Sequence, residues 1–415
     1  MKIFKFGGAS VKDAKGVKNL VKVLKSQGVE NTFIVISAMG KMTNAFEKIV
    51  NSYFYKEEEL KIAIQFTRDF HFQLLKELFE DTKHPVYLYL DQIYAQISGF
   101  FIQNKSKDYN FIYDQIVPFG ELLSTKIVSE YLNEIGIENN WLDVREFIKT
   151  DAIHRDAKVD WNQTERIISS TVDMTKLNIT QGFLGGYGNI TTTLGREGSD
   201  YTAAIFAYCL NAESVTIWKD VDGVLNANPT VFRDTVLLNQ ISYKEAIEMA
   251  YYGASVIHHK TLKPLENKLI PLHVRSFIDY NKKGTTVRKG NDLEPKVPCF
   301  IQKKNQILVS ISTLDFSFIV ENNLSDIFKY LHDFKLKVNL IQNSAISFSV
   351  CIEDKFGNFD AFFEKIHNNY KVYYNDNVTL YTIRHFDQES ISRIEKNNKV
   401  LLKQTSRETI QILIE

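Results

Sequence analysis

Over residues 1–298, short apolar runs alternate with longer stretches in which apolar side chains recur every three or four positions. The runs Lys2–Phe6, Thr32–Ser37, Ile179–Leu184, Ser214–Lys219 and Pro271–Ser276 read as strands. Ala14–Gln27, Asp200–Leu210 and Tyr243–Tyr251 read as helices between them. Residues 44–81 keep helical periodicity with no strand signal, and the acidic run Glu57–Glu59 there reads as a solvated face. Strands separated by helices predict an α/β fold with a mainly parallel sheet between helical layers.

After residue 298 the rhythm changes. Strands are expected at Gln306–Ile311, Leu336–Gln342, Ala345–Ile352 and Val372–Tyr374, with helices at Leu324–Phe334 and Phe359–Asn368. The first four steps then recur as Val378–Ile383, a helix Gln388–Asn397, Val400–Gln404 and Glu408–Ile414. The order β-α-β-β-α-β is an α+β, ferredoxin-like unit, and residues 376–415 are a partial copy without the last helix and strand. The stretch 284–299 (GTTVRKGNDLEPKVPC), with Gly, Pro and mixed charge, reads as a linker.

Composition sharpens this division. All seven prolines lie at or before Pro298, and only one of 19 glycines, Gly357, lies beyond it. Six glycines fall between Gly182 and Gly198, where they read as places cleared of side chains for another molecule. Lys plus Arg and Asp plus Glu are 50 each, and residues 299–415 hold 14 of each sign, so neither part has the excess a nucleic-acid partner needs. No apolar run is long enough for a membrane span, and residues 1–10 show no signal peptide. Three scattered cysteines, Cys209, Cys299 and Cys351, suit a reducing, cytoplasmic setting and support neither a disulfide framework nor a zinc site.

Three motifs carry candidate chemistry. Lys5-Phe6-Gly7-Gly8-Ala9-Ser10 follows a strand: two glycines let the backbone approach an anion and Lys5 adds a charge, or the segment is a plain tight turn. Thr192–Ala203 (TTLGREGSDYTA) sets Arg196 between Gly195 and Gly198, with Ser199 and Asp200 entering a helix that Asp200 could simply cap. Trp218–Val224 (WKDVDGV) ends a strand, where open α/β sheets bind ligands, though Asp-Gly is also an ordinary turn. Weaker pieces are Ser37–Gly40 with Thr43, Gly120-Glu121, and Tyr252–His258; His258 and His259 lack a second ligand pair for a metal.

KFGGAS, SAMGKMT, FGE, TTTLGREGSDYTA, WKDVDGV and YYGASVIH occur in the order found in aspartate kinases, and residues 305–415 resemble tandem ACT regulatory modules. The resemblance covers nearly the whole chain. It implies an amino-acid-kinase domain over 1–298, one ACT module over 299–375 and a partial second over 376–415. It implies transfer of the ATP γ-phosphoryl, with Mg2+, to the β-carboxylate of L-aspartate in a cytoplasmic homodimer paired through the ACT modules. It also implies feedback by lysine or threonine. No nucleic-acid or membrane partner and no homoserine dehydrogenase region are expected. The alternatives are a related kinase acting on glutamate or acetylglutamate, and a weakened paralogue acting as an amino-acid-sensing subunit.

By position, the resemblance implies catalytic roles for Lys5 and Asp200. It implies a nucleotide site from Lys5, Gly7, Gly8, Ser10, Lys219, Asp220 and Ser255, and a substrate site from Ser37, Thr43, Glu121, Arg196 and Ser199. Magnesium is expected on ATP oxygens and water, with no dedicated protein cage. Asn322, Asn323, Leu324, Asn343 and Ser344 are candidate effector residues, Asn standing where a glycine is usual because it tolerates the left-handed conformation. Other departures from the family pattern are Ala9, Glu197, Lys219, Leu225 and Ser255, and Lys219 is expected to supply the cation missing at Ser255.

Overall fold

The computed structural model describes residues 1–415 apart from 255–256, 291–292 and 316. It comprises two compact units, one of Met1–Val224, Leu237–Ile247 and Ser255–Pro295, the other of Leu225–Val236, Glu248–Ala254 and Lys296–Glu415.

The first unit is built on strands β1 (Lys2–Phe6), β2 (Thr32–Ile36), β3 (Asn140–Leu142), β4 (Asn178–Gln181), β5 (Leu184–Tyr187), β6 (Ile190–Thr193), β7 (Ser214–Lys219), β8 (Gln240–Ser242), β9 (Leu272–Ser276) and β10 (Thr285–Arg288). Eight of them form one sheet in the order β3-β4-β2-β1-β7-β9-β10-β8, parallel except between β9 and β10. β5 and β6 make a separate hairpin. The helices are α1 (Ala14–Gln27), α2 (Met42–Tyr55), α3 (Glu57–Leu78), α4 (Pro85–Gln103), α5 (Tyr109–Ile116), α6 (Phe119–Glu134), α7 (Val144–Phe147), α8 (Trp161–Thr171), α9 (Gly198–Cys209), α10 (Tyr243–Tyr252) and α11 (His259–Asn267).

Apart from Lys2, Lys5 and Thr32, β1 and β2 are apolar on both faces because both faces are covered. Phe4, Phe6, Ile34 and Ile36 share one core with Val17, Leu20 and Leu24 of α1 and with apolar residues of α2–α6. On the opposite face Phe33 stacks on Phe206 of α9, ring centroids 4.4 Å apart. α1 shows how local sequence sets an element: Asp13 caps its start by accepting from the Gly16 N–H at 2.7 Å, and Gly28 (φ 88°) ends it.

Two expectations change here. The stretch read as a linker contains β10, a short β-branched run (Thr285, Thr286, Val287) that fills a place between β9 and β8. The strand expected over Ile179–Leu184 stops at Gln181; after Phe183 (φ 73°) the chain enters the β5–β6 hairpin, whose glycines obscure its strand character.

In the second unit β11 (Cys299–Thr313), α12 (Glu321–Asp333), β12 (Lys337–Asn343), β13 (Ser347–Glu353), α13 (Phe359–His367), β14 (Tyr370–Arg384), α14 (Gln388–Glu395), β15 (Val400–Thr405) and β16 (Thr409–Ile414) form one antiparallel sheet with helices. Its order is β12-β13-β11-β14-β16-β15. The runs Val372–Tyr374 and Val378–Ile383 are one continuous strand, β14. The last strand missing from the second copy is supplied by the start of β11, where Cys299–Lys303 pairs with Leu380–Arg384. Ala227 and Phe232 pack with Phe300, Ile383, Ile391, Ile394, Ile410 and Ile412 in that half's core. The opening stretch of the first copy thus completes the second, which a search for a repeat in chain order does not find. The two edge strands meet: Gln404 Nε2 donates to Ile341 O at 3.2 Å, and Leu340 and Leu402 share a core with Cys351, Val378, Leu380 and Leu413. The sheet thus curls until its two edge strands touch.

No helix among the described residues is long and apolar enough to cross a membrane. The three cysteines are buried and form no disulfide with one another.

Candidate functional site

Parallel pairing brings the motifs together. Phe6 is level with Ile36 and Trp218, and Ile36 is level with Gln181. The segments after β1, β2, β4 and β7 therefore leave the sheet side by side at its carboxyl edge. Those segments carry Gly7–Ser10, Ser37–Thr43, Gly182–Asp200 and Asp220–Gly223.

At the centre is a buried ion pair. Lys5 Nζ lies 2.6 Å from Asp200 Oδ1, and Lys219 Nζ lies 3.9 Å from Asp200 Oδ2. Lys5 comes from β1, Lys219 from the end of β7, and Asp200 from the first turn of α9, whose free N–H groups favour an anion nearby. Ser199 is buried in the same turn. The N-cap of α9 is Glu197, in the left-handed conformation (φ 54°), and its side chain makes no capping bond. Burial first, then the charge of Asp200, raises its pKa, while Lys219, Arg196 and Lys5 oppose the rise. Arg196 itself is exposed, as is Asp220.

Glu121 sits in the first turn of α6 and is 2 % exposed. Its Oε1 accepts from the Ala38 N–H at 3.4 Å and from Thr43 Oγ1 at 3.5 Å; its buried Oε2 has no hydrogen-bond partner among the described residues. Burial pushes its pKa up to about 8 against those hydrogen bonds. α6 is tied to the loop after β2 by Ser124 Oγ, which donates to Ser37 O at 2.7 Å. A buried carboxylate with an unused oxygen is suited to receive a cationic group.

The turn after β1 is anchored from two sides. Ser10 Oγ donates to Trp218 O at 3.4 Å, and the Gly40 N–H donates to Gly8 O at 2.9 Å. A side chain on Gly8 would collide with the backbone of Ala38 and Gly40, whereas one on Gly7 would face the Lys5 ammonium. The glycine cluster corrects an expectation. Side chains at Gly182, Gly185, Gly186 and Gly198 would strike Ser199, Thr150, Arg145 and Phe183 respectively. These glycines clear room for the protein's own close packing rather than for a ligand.

Two features were not legible as site elements. Asp114, fully buried on α5, accepts from Thr193 Oγ1 at 2.7 Å, from the Thr193 N–H at 3.3 Å and from the Arg155 N–H at 3.1 Å, and meets His154 Nδ1 at 3.0 Å. It fixes the end of β6 that leads into Arg196. Asp156, ion-paired with Lys260, lies against Gly195. These partners lie roughly 40 or more positions apart, too far for spacing to signal them. A cavity of about 430 Å3 lined by Trp161, Tyr201, Tyr208 and five residues from His259 to Asn267 holds none of the candidate site residues.

Ser255 lies outside the described residues. No group of three or more His, Cys, Asp or Glu among the described residues is arranged to hold a metal. In the second unit Asn322 and Asn323 are not left-handed; both lie in the first turn of α12, where Asn323 Oδ1 accepts from the Val320 N–H at 3.0 Å. Leu324 follows in the same helix, while Asn343 ends β12 and Ser344 closes a turn with Ser347. The helix continues back to Glu321, so an Asn here serves as a capping residue instead of a turn residue.

Residues 1–276 match the amino acid kinase family. The chain is 29% identical over 367 residues to aspartokinase 1, chloroplastic, of Arabidopsis thaliana, covering 85% of this chain and 63% of that one. It is 29% identical over 358 residues to lysine-sensitive aspartokinase 3 of Escherichia coli, covering 85% of this chain and 78% of that one. The chain thus spans less than two thirds of the Arabidopsis relative's length. The solved structure of E. coli aspartokinase III with aspartate and ADP superposes with a TM-score of 0.83 at 24% identity, covering 100% of this chain and 96% of that chain, which is a likeness of fold.

Proposed function

The chain belongs to the amino acid kinase family, and from that premise we propose that it transfers the γ-phosphoryl of ATP to the β-carboxylate of L-aspartate. The observation that carries this is the buried Oε2 of Glu121, without a hydrogen-bond partner among the described residues, an ammonium acceptor in the same set of strand-end segments as the Lys5–Asp200 pair. The aspartokinase names of the relatives at 29% identity point the same way.

The chemistry asks little of the protein beyond placement and charge. The attacking carboxylate, with a reference pKa of about 3.9, is already ionised at neutral pH, so no general base is needed. Glu121 takes the substrate ammonium, with Thr43 and Ser37 alongside. Arg196 clamps the α-carboxylate through its two-pronged guanidinium. Lys5, oriented by Asp200, meets the transferring phosphoryl and neutralises its growing charge. Gly7, Gly8 and Ser10 offer backbone and hydroxyl donors to the phosphates, Ser199 lies at the α9 N-terminus beside them, and Lys219, Asp220 and Ser255 complete the nucleotide side. The residues suit magnesium that arrives on the nucleotide: no protein cage is arranged among the described residues, and phosphate oxygens and water would hold the ion, which neutralises phosphate charge.

Regulation extends the same reading. The curled sheet comprises ACT-like halves, 299–375 and 376–415, the second completed by the start of β11, and we assign them amino-acid sensing in a homodimer of a reducing, cytoplasmic compartment. Lysine is the first effector to test, since the E. coli relative is named lysine-sensitive.

The test is acyl-phosphate trapping as hydroxamate with aspartate, with glutamate and with no acceptor. Aspartate-dependent product that disappears in Lys5→Ala is expected. Product with glutamate alone, or none with either, would overturn the assignment.

A further inference from the structure

The elbow between α5 and α6 serves both ends of the acceptor site. Glu121, in the first turn of α6, stands seven positions after Asp114 on α5. Backbone hydrogen bonds carry through the join: the Val117 N–H donates to Tyr113 O at 2.9 Å, and the Glu121 N–H to Pro118 O at 3.1 Å. α5 in turn grips β6. Gln115 Nε2 donates to Thr191 O at 2.9 Å, and Gln115 Oε1 accepts from the Thr191 N–H at 3.4 Å. Asp114 Oδ1 accepts from Thr193 Oγ1 at 2.7 Å. Its Oδ2 accepts from the N–H groups of Thr193 at 3.3 Å and Arg155 at 3.1 Å, and meets His154 Nδ1 at 3.0 Å.

One buried carboxylate thus holds both walls of the turn that presents Arg196. The first wall is Thr193, whose carbonyl accepts from the Ala157 N–H at 3.0 Å. The second is Arg155–Asp156: a side chain on Gly195 (φ 81°) would strike Asp156 and press on Arg155 O. Arg155 is itself left-handed at φ 66°, a conformation unfavourable to a residue with a side chain, and the bond to Asp114 helps to hold it there. The Gly198 N–H closes the turn on Gly195 O at 3.1 Å, with Arg196 exposed at its tip.

We propose that Asp114 is a positioning residue that sets the preference for aspartate over glutamate, by fixing the Arg196 turn against the elbow that carries Glu121. This rests on the phosphoryl-transfer reading above and adds a residue to it. Aspartate and glutamate bring the same ammonium and α-carboxylate, so Glu121 and Arg196 by themselves do not tell them apart. The difference lies in where a firmly held head group leaves the side-chain carboxylate: the right length meets the phosphoryl, and one methylene more overshoots. A loosened Arg196 turn lets the head group retreat, which weakens the shorter acceptor and admits the longer one.

The test is the steady-state kinetics of hydroxamate formation by the full chain, with aspartate and with glutamate, for wild type, Asp114→Asn, Thr193→Val and Thr193→Ser. Asparagine keeps the shape of Asp114 but turns a donor toward donors. It is expected to raise KM for aspartate roughly 5- to 30-fold, the size of one charge-assisted hydrogen bond, while KM for ATP stays within about twofold. The ratio of kcat/KM for aspartate to that for glutamate is expected to fall at least about fivefold. Thr193→Val removes only the hydroxyl donor and is expected to act in the same direction, so it decides the matter where the asparagine variant does not fold. Thr193→Ser keeps the hydroxyl and is expected to stay near wild type. A merely structural role lowers the folded fraction, which cuts turnover with both acceptors alike and moves neither KM nor the ratio. KM for aspartate and the ratio unchanged in the folded variants, an equal rise in KM for ATP, or a serine variant as impaired as the valine one would overturn the proposal. Wild-type protein that uses glutamate alone overturns the acceptor assigned above, and the positioning role is then read as the same rise in KM for glutamate. No product with either acceptor overturns both.

Discussion

Replacing Glu121 by glutamine isolates a deeply buried ionisable group on the substrate side of the site. Glu121 is 2 % exposed, and burial raises its pKa from 4.5 to about 8. A carboxyl whose pKa is raised on folding binds its proton more tightly in the native state. Native protein is therefore favoured at low pH, and the advantage is lost as pH rises between about 4.5 and about 8, at up to about 1.4 kcal/mol per pH unit. Between pH 5.5 and 8.5 this amounts to roughly 2–4 kcal/mol, allowing a unit either way in the native pKa. Glutamine keeps the shape and the acceptor oxygen but cannot ionise. Urea unfolding of both proteins across this range should show Glu121→Gln gaining that amount on wild type at the alkaline end. The same variant should raise KM for aspartate, because a neutral amide no longer balances an ammonium. The substrate ammonium should also favour the ionised carboxyl, so wild type near pH 7 should release a fraction of a proton on binding aspartate, read by calorimetry in two buffers. A stability difference that is flat from pH 5.5 to 8.5 would refute the argument that Glu121 is buried without a counter-charge.

Packing and charge set three further outcomes. Lys5→Met should cost about 3–5 kcal/mol in stability because it leaves Asp200 buried with Lys219 only at 3.9 Å, and adding Asp200→Asn should recover much of that loss in denaturant unfolding. Gly182→Ala should lose about 1–3 kcal/mol and also lower kcat, since the new methyl group overlaps Ser199 in the first turn of α9; unfolding and steady-state kinetics check the two effects separately. Arg384, 5 % exposed, donates to Thr409 Oγ1 at 2.7 Å and pairs with Glu408 at 3.4 Å, so Arg384→Ala should destabilise the second unit by about 2–5 kcal/mol, measured as an earlier unfolding transition.

The fold was legible wherever local pattern and burial agree. α1 runs over Ala14–Gln27 and β7 over Ser214–Lys219 as periodicity predicts, because each has one environment along its length. Legibility failed at β5–β6 and β10, where glycines and a Gly/Pro-rich context hide short strands. It failed again at Asn322–Asn323, where the helix begins at Glu321 and turns expected loop residues into cap residues.

For the site, it was the resemblance of the ordered motifs to those of aspartate kinases that pointed to Lys5, Glu121, Arg196 and Asp200, while the residues alone left Gly120-Glu121 as a weak piece before a helix. Sequence by itself determined those charges, the alternation of strands and helices, and the change of rhythm after residue 298. Only the tertiary structure decided which charges meet. Parallel register levels Phe6 with Ile36 and Trp218, and α9 then delivers Asp200 to Lys5 across 195 positions of chain. It also decided that the crowded glycines serve the protein's own packing and that the opening stretch of the first repeat completes the second. Pairings of that kind depend on distance in space and on exclusion of water, and a one-dimensional pattern records neither.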